Sequence, residues 1–137
     1  MSTWGFAAKA LHDGAGGRTL RWSSVGHPEP LMLTPDGRVT ELTAPIGPPL
    51  GIGWRGPRAD GTAELPDGAT VLLFTDGLFE RRGVPLDDGR EEVVQLLERF
   101  GDRPLDELCD RLLAVLLAEG AEDDVALLAL RTRAAAR

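Results

Sequence analysis

Two continuous apolar runs bracket the second half of the chain and constrain its architecture more than any other feature. One is Val71-Leu72-Leu73-Phe74; the other spans Val125 to Leu130. Runs of this length with no polar alternation are expected of strands buried on both faces. Between them the period changes. Arg90 to Phe100 places Val93, Val94, Leu96, Leu97 and Phe100 at helical spacing, and Gly101 ends the segment. Asp102 or Pro104 opens a second helix with Leu105, Leu108, Leu112, Val115 and Leu116 on one face, closed by Gly120.

Upstream of the first run the chain is β-rich. Phe6 to His12 and Thr19 to Ser24 flank the glycine turn Asp13-Gly14-Ala15-Gly16-Gly17 and predict a hairpin. Leu31 to Thr34 and Arg38 to Leu42, joined by Pro35-Asp36-Gly37, predict another. Ala44 to Pro57 is rich in Pro and Gly and has no period. Its apolar residues Ile46, Leu50, Ile52 and Trp54 predict an ordered loop packed on the β scaffold rather than a linker. Pro66-Asp67-Gly68 is a turn. Strands, then two helices, then a strand indicate an α+β layering rather than repeated βαβ units. The tail from Ala134 to Arg137 is expected to fray.

At 137 residues the chain fits one domain, residues 1–137, large enough to bury an apolar core. Its net charge of -7 opposes a phosphate backbone, so nucleic acid is not an expected partner. The same balance suits a carboxylate cation site, although acidity for solubility alone is the preferred explanation. The single cysteine, Cys109, can form neither an internal disulfide nor a zinc site by itself and reads as a small core residue. Residues Met1 to Ala10 lack a signal-peptide build, and no apolar stretch approaches the ~20 residues of a membrane span. No membrane partner is expected, and the cytoplasm is the expected compartment.

Two acidic sites lie at strand ends. Asp76 follows the first apolar run in Thr75-Asp76-Gly77, and Asp123-Asp124 precedes the second. A carboxylate at the end of a buried strand is held rigidly, as hard divalent cations require of their oxygen ligands. If the two strands are antiparallel neighbours, Asp76 and Asp123 share one mouth. Gly77 is expected to let the backbone turn sharply there. Each motif alone is also a common turn or polar strand flank.

The motifs in combination resemble a family. Leu20 to Leu31, with Gly26-His27-Pro28-Glu29-Pro30, is similar to a family segment with an aromatic residue before Ala-Gly-His-Pro-x-Pro. Pro49-Leu50-Gly51-Ile52, the strand leading to Thr75-Asp76-Gly77-Leu78-Phe79-Glu80, and Glu122-Asp123-Asp124-Val125 follow in the family's order. The chain thus resembles the C-terminal half of a SpoIIE-like, PPM-type metal-dependent serine/threonine protein phosphatase domain. The resemblance implies a β-sandwich flanked by helices, with two Mn²⁺ or Mg²⁺ ions at one end. It assigns Asp76 and Asp123 to metal binding and Asp124 to a neighbouring role at the metals. It also implies a phosphorylated protein substrate, of the kind of an anti-sigma-factor antagonist in bacterial partner switching.

His27 could move a proton or could hold the Gly26-Pro28 turn, the second role being preferred. Arg81 and Arg82 could attract phosphate, but a solvated surface is preferred. Nothing in Met1 to Ser24 matches the family's Gly-Gly-Asp segment, whose aspartate bridges the two metals. A portion of a larger phosphatase and an inactive remnant that binds a regulatory partner therefore stand as alternatives. A plain α+β domain with acidic surface turns is a third.

Overall fold

The computed structural model describes residues 5–45 and 47–134. The expectations for Ile46 and for residues 135–137 fall outside that range. Among the described residues seven strands form two antiparallel sheets. β1 (Gly5–His12), β2 (Arg18–Val25) and β5 (Gly61–Glu64) make a three-stranded sheet in the order β1-β2-β5. β3 (Leu31–Leu33), β4 (Val39–Glu41), β6 (Thr70–Phe74) and β7 (Leu127–Arg131) make a four-stranded sheet in the order β4-β3-β6-β7. Helices α1 (Leu86–Phe100) and α2 (Leu105–Leu116) connect β6 to β7.

The four-stranded sheet is the middle layer. On one face Leu31, Leu33, Leu72 and Phe74 pack with Val93, Leu96 and Leu97 of α1 and Leu108, Leu112 and Leu116 of α2. On the other, Val71 joins Leu20 and Trp22 of β2, with Met32, Leu73 and Leu130 against them. Consecutive residues of β6 therefore serve two cores, which is why its sequence shows no polar alternation. Val71 and Leu72 have no exposed surface.

The expected hairpins, the two helices and the apolar strand into Thr75 all form. Four details differ. α1 starts at Leu86, four residues before Arg90, because Pro85 opens it and Asp87 and Asp88 sit in its first turn, where carboxylates favour the helix N-terminus. β5 has only Gly-Thr-Ala-Glu and no apolar pattern to announce it; it forms by pairing Gly61 with Trp22 of β2. A side chain at Gly61 would collide with the Trp22 indole.

The last strand is not the buried segment 125–130. It begins at Leu127 and lies at the edge of its sheet, with Leu128 58% exposed. Its apolar run records two faces that meet cores, but among the described residues no strand pairs with its outer edge. Finally, Gly101 is right-handed (φ -67°), so it does not end α1 as a left-handed cap. Its missing Cβ makes room for the Leu33 side chain and the Leu97 carbonyl.

Candidate metal centre

The acidic strand ends meet because β6 and β7 are antiparallel neighbours, with Phe74 opposite Leu127. This register places the exit of β6 beside the entry to β7. Asp76, Gly77, Asp123 and Asp124 line one open cavity of about 430 Å³, whose opposite lip is Gly26, His27 and Pro28. All three aspartates are exposed.

Thr75 fastens the two segments. Its backbone N–H donates to the Ala126 carbonyl at 3.0 Å, and its Oγ1 accepts the Ala126 N–H at 2.9 Å. The hydroxyl also lies 3.4 Å from the Asp124 carbonyl. In the sequence Thr75 stands only as part of the Thr75-Asp76-Gly77 motif. A hydroxyl beside an acidic strand end was the available signal for this clamp.

Asp76 opens a single 3-10 turn, Asp76–Leu78, closed by the Leu78 N–H on the Thr75 carbonyl at 3.1 Å. Gly77 has no positive φ, so the expected sharp turn is not what requires glycine. Its hydrogen faces the backbone carbonyl of Asp124, and any Cβ would collide with that oxygen. The glycine is needed for close approach between the two acidic segments.

Asp123 spends part of its acceptor capacity locally, since its Oδ1 takes the Asp124 N–H at 2.8 Å. Exposed carboxylate oxygens on a rigid mouth are the donor chemistry that Mn²⁺ and Mg²⁺ take. Their number is the constraint: among the described residues no three His, Cys, Asp or Glu side chains gather closely enough to hold an ion by themselves. Carboxylate oxygens are the donor type such a metal takes, and among the described residues they do not reach three in one group.

His27 stands edge-on to Phe6, ring centroids 6.0 Å apart, and its carbonyl lies 3.5 Å from the Ser24 hydroxyl. Gly26 takes the left-handed conformation that the turn needs (φ 75°). These contacts suit the structural role, while His27 still reaches the cavity lip. Arg81 is paired with Glu92, and the Arg82 backbone N–H donates to Glu122 at 3.1 Å. Cys109 is half-buried in α2, where burial, followed by Asp110 and Asp106, raises its thiol pKa. Among the described residues no helix is long and apolar enough to cross a membrane.

Comparison with known proteins agrees with this architecture. The family described as Stage II sporulation protein E (SpoIIE) matches residues 12–133. A structure of the RsbU and RsbW domains of a Mycobacterium tuberculosis protein is 34% identical and superposes with a TM-score of 0.73, over 86% of this chain and 35% of that one. The Mn-presoaked phosphatase domain of SpoIIE from Bacillus subtilis is 17% identical with a TM-score of 0.71, over 94% of this chain and 56% of that one. The catalytic domain of the serine/threonine phosphatase PstP, solved with two manganese ions, is 18% identical with a TM-score of 0.63, over 94% and 59%. The fold is that of the PP2C-like phosphatases, and the chain spans between about a third and three fifths of these relatives' length.

Proposed function

The chain belongs to the SpoIIE family, and from that membership we propose that its acidic mouth is one part of a two-cation centre for hydrolysing phosphoserine or phosphothreonine on a protein. One observation carries the reading: adjacent antiparallel strands deliver Asp76, Asp123 and Asp124 to a single cavity. In this reading residues 1–137 are the C-terminal portion of a SpoIIE-like phosphatase domain. Asp76 and Asp123 hold Mn²⁺ or Mg²⁺, and Asp124 acts beside them. The cations would supply Lewis acidity toward the phosphate and toward an attacking water.

The chain's own residues do the positioning. Thr75 ties the Asp76 turn to the Asp124–Ala126 segment, and Gly77 lets the two backbones touch. No side-chain nucleophile is required. The substrate class, a phosphorylated anti-sigma-factor antagonist, rests on the family resemblance. A second reading, an inactive remnant that binds a regulatory partner, is favoured by the absence of a three-donor cluster among the described residues.

Phosphate release from a phosphoserine protein, with and without chelator, separates the two. The isolated chain should turn over little or not at all even in excess Mn²⁺, because two or three carboxylates leave most of the coordination sphere to water. A polypeptide extended by a Gly-Gly-Asp segment should be active, and Asp76→Asn or Asp123→Asn should abolish that activity. Chelator-sensitive turnover by the isolated chain would contradict the partial-site reading. Full activity in the extended Asp123→Asn variant would remove Asp123 from the centre.

A further inference from the structure

The ladder between β6 and β7 fixes which backbone groups of β7 face outward. The Thr75 N–H donates to the Ala126 carbonyl at 3.0 Å, and the Thr132 N–H donates to the Ala69 carbonyl at 2.9 Å. In an antiparallel ladder successive residues turn their backbone groups to alternate sides. Ala126, Leu128, Leu130 and Thr132 therefore face β6. Leu127, Ala129 and Arg131 turn their N–H and C=O groups to the free edge, where among the described residues no strand pairs with them. Leu128, 58% exposed, lies between two of these outward residues.

Such a row of donors and acceptors takes a β-strand, and the flanking charges select which one. Glu122, Asp123 and Asp124 precede β7, whereas Arg131 and Arg133 close it. The Arg131 guanidinium is spent on Thr70 and on the carbonyls of Gly101 and Arg103. Arg133 is exposed and has no ion pair among the described residues. Two chains of net charge -7 repel unless opposite charges meet locally. The complement of this edge is a strand whose charges run in reverse order, and β7 turned antiparallel is such a strand. β1, the edge of the other sheet, lacks the pattern: Lys9 stands near its middle, with alanines at 7, 8 and 10.

The geometry points to a second copy of this chain as the occupant of the edge, two β7 strands pairing antiparallel about a two-fold axis at Ala129. Leu127 then lies opposite Arg131 of the second copy, and Ala129 opposite its equivalent. All three outward residues of each strand are paired, through about six backbone hydrogen bonds. A shift of two residues keeps the alternation but leaves one outward residue of each strand beyond the end of its partner. Leu128 comes opposite Leu130 of the second copy in the closer, non-hydrogen-bonded kind of pair, which covers its exposed side chain. Arg133 comes opposite Val125, beside Asp124 and Asp123, so each acidic mouth gains a cation from the other chain. An isologous contact of this kind closes at two copies. This pairing needs no part of the phosphatase reading.

Sedimentation velocity of the full 137-residue chain over a wide concentration range tests it. Reversible dimers are expected at micromolar concentration, the range of a small interface. Ala129→Pro is the most selective variant, because the N–H it removes faces outward and serves no bond to β6. It should weaken dimers about tenfold or more while circular dichroism and the urea midpoint stay those of the wild type. Arg133→Glu should weaken them roughly threefold, the loss growing at low salt. If proline disturbs the fold, Leu128→Lys takes its place, since it alters no backbone bond, with the same expected loss of dimers.

A chain that stays monomeric throughout, or dimers indifferent to both edge variants, would overturn the pairing. Oligomers that keep growing with concentration would do the same, because the two-fold contact closes. A polypeptide extended by a Gly-Gly-Asp segment that stays monomeric where the 137-residue chain dimerises would give the edge to that segment and overturn the second copy as its occupant.

Discussion

The two edges of the four-stranded sheet are built differently. β4 is three residues long, ends on Glu41 and is held by the Arg90 guanidinium of α1 at 2.6 Å. The Leu42 N–H beyond it is taken up by the Pro30 carbonyl at 2.8 Å. A short strand carrying a paired charge offers little to another strand. β7 at the opposite edge is five residues long, reads Leu-Leu-Ala-Leu-Arg and leaves Leu128 58% exposed. Its one charge is turned inward: Arg131 donates to Thr70 Oγ1 at 2.8 Å and to the carbonyls of Arg103 at 2.9 Å and Gly101 at 2.6 Å. The apolar groove beside it, lined by Phe6, Leu73 and Leu128, continues that open side between the sheets. One edge is closed by charge and brevity; the other keeps the properties of a strand acceptor.

The largest effect should come from between the edges. Leu72→Ala in β6 empties volume in a fully buried site and should cost about 2–5 kcal/mol in urea unfolding. A loss under about 1 kcal/mol would show that the centre of the sheet is as loosely packed as its open side. Arg131→Ala comes next, because it strands two carbonyls of the α1–α2 connection and frees the end of β7. The expected cost is about 1.5–3 kcal/mol, checked by the same unfolding curve, with Arg131→Lys recovering only part of it.

The closed edge carries a smaller, pH-dependent term. Burial first, then the charge of Glu41, raises the Glu29 carboxyl above its ordinary value, while an Ala44 backbone hydrogen bond and Arg90 act the other way. Its Oε2 is buried with no hydrogen-bond partner. With the folded value above the unfolded one, Glu29 ionises more readily in the unfolded chain. Stability is therefore lost as pH rises from below the unfolded carboxylate value through the raised folded one. Glu29→Gln should melt above wild type at neutral pH, and the gap should close below about pH 4. A gap that persists in acid would place its cause in packing instead.

The smallest effect on stability belongs to the open edge. Leu128→Lys should change unfolding free energy by no more than about 0.5 kcal/mol, because the side chain is mostly in solvent already. It should reduce self-association in sedimentation, since a lysine on an exposed strand blocks edge pairing. If Leu128→Lys costs as much as Leu72→Ala, the contrast between centre and edge is wrong.

The sequence made much of this legible. Val71 to Phe74 was recognisable as a buried strand because consecutive residues face two cores, and both helices were visible in their apolar period. The order of the strand-end aspartates was equally plain, and antiparallel pairing of the last two strands does bring Asp76, Asp123 and Asp124 to one cavity. Val125 to Leu130 carried the same apolar signature as β6, yet its strand residues, Leu127 to Leu130, lie at a sheet edge with Leu128 exposed. Side-chain polarity reports which faces are covered and is silent on whether backbone hydrogen bonds find a neighbour. The loop with Ile52 and Trp54, which are 57% and 53% exposed, misled for the related reason that apolar content does not say what it packs against.

What the chain's residues determined by themselves is local: period, turn chemistry, and carboxylates placed at strand ends, each set by neighbours a few positions away. Tertiary structure alone decided which strand became the edge, that Gly77 must be bare because Asp124 lies against it, and that Gly101 yields space to Leu33. Those outcomes depend on contacts between segments tens of residues apart, and no window of the sequence contains both partners.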